Sequence, residues 1–335
     1  MEQTRFTQPG PVLDAKGRPI PGWAPSGILQ YNRKAIRAPF YRIKEWDWYQ
    51  VSNSHLALQF TLGHASYAGM AGVTLFDFIS GERIFQKDMM LALPFGSLEL
   101  DSSADADSVA EYNKGGFFLR METKDDVRRI QCRCEGFDAE VALIRQNPHA
   151  LMINVPFDES PTAFYYNHKI SCMLATGHAA VGDKTYTFGG EDEAYGLLDW
   201  GRGVWPFHNE WYWSSAAGRV NGEIFGFNLG CGFGNTSAAT ENCLFYKNEI
   251  HKLGQVSFTL GSDYAAPWRL ADTEGRLDIT LTPTYDRTTV TKLLWVDNCT
   301  HQMFGPFAGH AVLDNGTRLT FDNIIGFAEH AVNNW

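Results

Sequence analysis

What most constrains this chain is the alternation of apolar and polar residues, closed at short intervals by tight-turn dipeptides. Residues 129–134 read R-I-Q-C-R-C, with Ile130, Cys132 and Cys134 on one face, and residues 276–282 read R-L-D-I-T-L-T. A period of two sends successive side chains to opposite faces of a strand, so such segments build sheets packed on one side and wet on the other. Asn221-Gly222 lies between 215–220 and 223–229, and Asn315-Gly316 lies between 310–313 and 317–321. Asn-Gly accepts the two positive φ angles of a type I′ turn, which predicts a hairpin at each place. Gly81-Glu82, Gly182-Asp183 and Glu274-Gly275 are weaker signals of the same kind. Helical apolar spacing is scarce, and residues 326–333 are the best helix candidate. Short strands with turns about every 8–12 residues specify an antiparallel sandwich or barrel and exclude an alternating α/β fold. No phosphate-loop or dinucleotide fingerprint occurs.

Composition narrows the class further. A net charge of −10 without any basic run excludes a nucleic-acid surface, which needs clustered Lys and Arg. No apolar run reaches the roughly 18 residues of a membrane helix, and the opening M-E-Q-T-R-F-T-Q-P-G carries no export signal, so a cytoplasmic protein is expected. The six cysteines include a C-x-C pair at Cys132 and Cys134, but no zinc spacing follows, so free thiols are expected and neither metal nor cofactor is. The Ser, Ala and Asp run at 102–108 reads as an exposed loop. Pro148, Pro156 and Pro161 interrupt the pattern near the midpoint, which predicts two β-halves, 1–155 and 156–335.

One segment is unlike the rest. Residues 199–213 read D-W-G-R-G-V-W-P-F-H-N-E-W-Y-W, with four tryptophans, two acids, an arginine and a histidine. Gly201, Gly203 and Pro206 predict a loop or bulged strand end over 199–208, with Trp211 and Trp213 on one side of the next strand. Ionisable groups beside aromatic walls on an irregular element are what a small-molecule site requires. Further polar groups follow at Asn228, Asn235 and Glu241-Asn242, with glycines at 230, 232 and 234 baring one strand face. Asn167-His168-Lys169 lies upstream, and His301, Glu329 and His330 are additional candidates near the C-terminus.

These motifs resemble a family. Asn167-His168-Lys169, the 199–213 segment, G-F-N-L-G-C-G-F-G at 226–234, Glu241-Asn242, and F-G-P-F-A-G…G-F-A-E-H…W at 304–335 look like the bacterial domain of unknown function 2804. More remotely, the chain resembles the carotenoid 1,2-hydratase, AttH-like and tocopherol-cyclase group. That resemblance implies two lipocalin-like antiparallel β-barrel halves in tandem, packed side by side. It also implies a ligand cavity and acid-catalysed chemistry on apolar polyenes without an organic cofactor.

Asp199 is accordingly the candidate general acid, since a carboxyl walled by Trp200 and Trp205 would lose hydration and hold its proton. The alternative pairs Asp199 with Arg202 and fixes a loop. Glu241, His168 and Arg202 are the assisting candidates, and Trp200, Trp205, His208, Trp211, Trp213 and Asn235 the substrate-binding ones. Three functions follow: a cofactor-independent hydratase, isomerase or cyclase on an apolar or terpenoid-like molecule; a glycoside or ester hydrolase using Asp199 and Glu241; or a binder of a lipid-like, apolar or amphipathic ligand that catalyses nothing.

Overall fold

The computed structural model describes residues 2–95, 97–293 and 296–334, so Trp335, the last residue of the C-terminal motif, lies outside the described residues. Antiparallel strands dominate throughout and curl into two barrels lying side by side. In the first sheet the meander Ile43–Ser52, Leu56–His64, Ala68–Asp77, Glu82–Ala92 is joined to Ala194–Val204 through its first strand. Ala194–Val204 in turn lies against the 22-residue strand Ser160–Val181, which continues the sheet to Phe137–Ile144, Val127–Cys134, Phe117–Lys124 and Ser108–Lys114. Phe85 stacks on Phe137 at 4.4 Å, closing the curl with apolar contact. The second sheet centres on His208–Val220, Arg318–Asn334 and Val296–Val312, flanked by Glu223–Cys231 on one side and Leu277–Leu281 on the other. Among the described residues no helix is long and apolar enough to cross a membrane.

The turn chemistry operates as expected at Asn221-Gly222, where both φ angles are positive, 52° and 80°. The 312–318 hairpin is wider. Only Gly316 has positive φ there, and the Leu313 and Thr317 backbones bond across the turn. Residues 326–333 are not helical but belong to strand Arg318–Asn334. Phe327 and Ala328 are both fully buried because one face of this strand packs into its barrel and the other against the neighbouring barrel. A strand covered on both sides loses its polar face, and with it the alternation that would mark it.

Pro156 and Pro161 flank a hairpin inside the first sheet, and the chain passes to the second sheet later, between Val204 and His208. The 102–108 loop is not simply exposed. Its Ala104 carbonyl accepts from the buried Arg128, and Asp105 takes Arg145 at 2.9 Å, so it covers one end of the first barrel. A third apolar cluster, with Phe76, Leu197, Trp213, Phe304 and Phe327 among its members, glues the two barrels together. The candidate site adjoins it.

Candidate functional site

Cross-strand register decides which polar groups meet. Lys169, Asp199 and Trp48 are direct partners on three adjacent strands, so their side chains share the face turned toward the second barrel. Asn167, Gly201 and Trp46 form the next row of that face. His168, Trp200 and Asp47 form the row between, facing the first barrel's interior. The 199–204 stretch is therefore regular strand rather than loop, and alternation sends its polar residues two ways.

Asp199 does not pair with Arg202. Residues three apart on a strand lie on opposite faces. Arg202 is wholly buried on the interior face, donating to Asp47 at 2.9 Å and to the carbonyls of Trp46, Gly201 and Asp101. Its guanidinium stacks over Trp200 at 3.8 Å. His168 is on the same side, 3.7 Å from Asp105, and burial pushes its imidazole down to about 4, so it is neutral. His208 is exposed against Asn334 at 3.0 Å, and Asn235 donates to Asp158 at the surface. None of these four shares a contact with Asp199.

What Asp199 does meet is Lys169, at 2.8 Å, with Asn167 donating at 2.6 Å and the Trp46 indole at 3.1 Å. Gly201 makes this possible, because a Cβ there would collide with the Trp46 ring. Lys169 lies 3.9 Å from Glu241 and 3.8 Å over the Trp213 ring. Glu241 reaches the cluster from the 232–242 loop across bare Gly230, whose absent side chain its carboxyl replaces. Asn242 fixes that loop by accepting from the Gly230 amide, while Asn228 accepts from Trp213 and donates to the Glu241 carbonyl. The asparagines of the G-F-N-L-G and Glu-Asn motifs thus hold a wall and a carboxyl in register.

A third carboxyl lies on the same inter-barrel side. Glu329 pairs with Trp213 across strands and accepts from the Trp211 indole at 2.8 Å and from Gln302 at 3.0 Å. Gln302 in turn accepts from Gln59 of the first barrel, at 2.8 Å. Asp199, Glu241 and Glu329 are each only 7% exposed. Burial lifts Glu329 to about 7, against the pull of the Trp211 N–H, Arg287 and Lys169. Burial also raises Glu241, which Lys169 partly offsets. A carboxyl taken out of water without a cation in direct contact favours its neutral form.

Aromatic rings cap this group. Phe233 touches Tyr165, Trp205 and Trp211 at 4.8, 5.5 and 5.1 Å, and Trp46 lies against Tyr165 and Trp205. Tyr165 senses Asp199, Glu241 and Glu329 together, and with burial they raise its hydroxyl well above the phenol range. Outside Phe233 lies a surface depression of about 320 Å³ lined by Phe157, Pro206, Asn209, Glu210, Gly232 and Gly234 among others. Of the residues singled out in the sequence, Asp199, Glu241, Trp205, Trp211 and Trp213 gather here. Trp46, Tyr165, Phe233 and Gln302 join them unforeseen, and Lys169 and Glu329 take central places. The alternating tryptophans of K-E-W-D-W at 44–48 repeat the Trp211/Trp213 spacing and were the readable signal for Trp46.

The model of the domain of unknown function 2804 (DUF2804) matches residues 3–335. The chain belongs to the DUF2804 family. No curated protein sequence matches this DUF2804 chain. Solved structures resemble it at low identity. A protein described as a putative AttH from Nitrosomonas europaea has a TM-score of 0.54 and 13% identity, over 90% of this chain and 95% of that one. CghA with Sch210972 has 0.56 and 10%, over 100% and 97%. Kievitone hydratase from Nectria haematococca has 0.50 and 10%, over 91% and 95%. These likenesses place the DUF2804 chain in the two-barrel fold.

Proposed function

We propose that the protein is an enzyme that protonates an apolar or amphipathic small molecule at the ring-capped carboxyl and lysine group between its barrels, reached from the depression outside Phe233, a hydratase, isomerase or cyclase type of reaction driven by its own side chains. The observation that carries this reading is Glu329: a buried carboxyl raised to about 7, held by the Trp211 and Gln302 N–H groups beside an aromatic cage. A carboxylic acid with a pKa near the working pH is half protonated there and is at its most effective as a general acid. The Asp199 oxygens are instead engaged by Lys169, Asn167 and the Trp46 indole, which fits a fixed, positioning role. Asp199, Lys169 and Glu241 then act as a fixed charge array, and the rings of Trp46, Trp205, Trp211 and Trp213 stabilise positive charge developing on the substrate. That one structural neighbour is a hydratase by name agrees with this class of chemistry.

The hydrolase reading is weaker. Asp199 and Glu241 are joined through the Lys169 ammonium rather than facing one another across an open groove, as an acid and nucleophile pair on a glycoside must.

The test starts from whatever molecule the protein retains. Protein purified from its own host is analysed by native mass spectrometry for such a molecule, which is then incubated in D₂O with wild type and Glu329→Gln. Wild type is expected to incorporate deuterium at carbon or to transform the molecule, and Glu329→Gln to bind it and do neither. Retention without turnover by wild type would make the protein a carrier, and unchanged turnover by Glu329→Gln would remove Glu329 from the mechanism.

A further inference from the structure

The strands that carry Glu329 and Trp211 present a second cluster on their opposite face. His301, His330 and Tyr212 are direct partners across three strands. They lie on the face whose Met303 and Ala328 belong to the second barrel's core. Over them folds the 260–267 loop, whose Tyr264 hydroxyl is 2.7 Å from Nδ1 of His330. Nε2 of His330 is 2.7 Å from Oε1 of Glu210. A carboxylate only accepts, so Nε2 carries the hydrogen; the tautomer fixed in this way has its lone pair at Nδ1, where the tyrosine O–H can donate.

The tyrosine is held in place from several sides. Its ring stacks on His301 at 3.9 Å, and His301 is fixed by Asp286 at 2.7 Å. Its carbonyl accepts from the Trp268 indole at 2.9 Å, and Asp263 ties the following two amides. Tyr212 lies flat on His330 at 4.3 Å. Tyr264 is half-buried, on a loop whose Asp263 and Ala265 are exposed.

We propose that Glu210, His330 and Tyr264 form a second reactive site, in which the Tyr264 hydroxyl is the nucleophile toward small esters carrying a flat aromatic group. Hydroxyl, imidazole and carboxylate in sequence are the arrangement that activates a weak oxygen nucleophile. Burial and the surrounding Tyr212, Cys299, Asp286 and Glu210 keep the Tyr264 hydroxyl protonated at neutral pH, so it reacts only as Nδ1 takes its proton. As the bond from the Tyr264 oxygen to the ester carbon forms, His330 receives that proton. The bond from carbon to the aryl oxygen then breaks and His330 passes the proton to the departing phenoxide. Water, deprotonated by the same nitrogen, releases the acid and restores the tyrosine. The partly exposed rings of Tyr212 and Phe258, 5.6 Å apart, supply a surface for the aryl group.

The experiment uses p-nitrophenyl acetate with the full chain at pH 7.5, following nitrophenolate release and locating the acetyl group by peptide mass spectrometry. Tyr264 is expected to be the principal acetylated residue, and Tyr264→Phe to abolish the initial burst. His330→Gln should slow acetylation about a hundredfold, the usual contribution of a positioned base. Glu210→Gln, at a half-exposed position and with an amide oxygen that can still accept from Nε2, should slow it about tenfold, with unfolding curves of the variant compared to wild type. Acetylation scattered over lysines without Tyr264, or a rate unaffected by Glu210→Gln, overturns the proposal.

Discussion

Replacing Glu329 by Gln should make the protein more stable at neutral pH while removing the proposed chemistry. Gln matches Glu in shape and keeps the acceptor for Trp211, while its NH2 meets the Gln302 NH2, whose oxygen is already engaged by Gln59, so the variant loses one hydrogen bond by an amount that does not vary with pH. The pH-dependent difference lies in charge. Glu329 has its proton affinity raised on folding, from the ordinary 4.5 to about 7. The folded state therefore binds this proton more tightly than the unfolded chain does. That contribution to stability is complete below pH 4.5 and is lost as pH rises through 7. At about 1.4 kcal/mol per pH unit, the displacement amounts to about 3 kcal/mol. Urea unfolding of wild type and Glu329→Gln at intervals from pH 4.5 to pH 8 measures it, because the difference between the two proteins cancels most other titrating groups. The variant is expected to gain about 3 kcal/mol on wild type across that range, with the change centred between pH 4.5 and 7 and flat above about 8. A difference that does not vary with pH, or that turns against the variant as pH rises, would mean that Glu329 is ionised in the fold and has no proton to give as a general acid.

Lys169→Ala leaves Asp199 and Glu241 buried without their shared cation and should cost about 3–5 kcal/mol, read by thermal or urea unfolding; a cost under about 1 kcal/mol would mean the carboxylates find other compensation. Trp211→Phe removes an N–H that holds the Glu329 proton affinity down, so the pH-dependent loss of stability should extend to higher pH than in wild type, checked by the same titration. Asn228→Ala frees the Trp213 indole and the Glu241 carbonyl together and should cost about 2–4 kcal/mol, with a shift in tryptophan emission as the wall loosens. Gly201→Ala drives the Trp46 ring off Asp199 and should destabilise by about 2 kcal/mol or more, again with altered tryptophan emission.

Alternation at 129–134 and 276–282, and the Asn-Gly turn at 221–222, were enough to dictate antiparallel strands and their hairpins, because both signals are local: they depend on side-chain direction and on the φ of one or two residues. The same parity rule, applied to 199–204 as a strand, separates Asp199 from Trp200 and Arg202. It was obscured because Gly201, Gly203 and Pro206 look like loop residues. In the fold, two of them are close-approach points for Trp46 and Trp205 in a strand buried on both faces. Burial on both faces likewise hid the strand at 326–333. That Lys169, Asp199, Glu241 and Glu329 face one another was not written in any local pattern. It follows only when two curled sheets pack, since the contacts join residues from different barrels. Even the protonation of Glu329 is a tertiary property, because it depends on which neighbours exclude water and on the direct cation that goes to Asp199 instead.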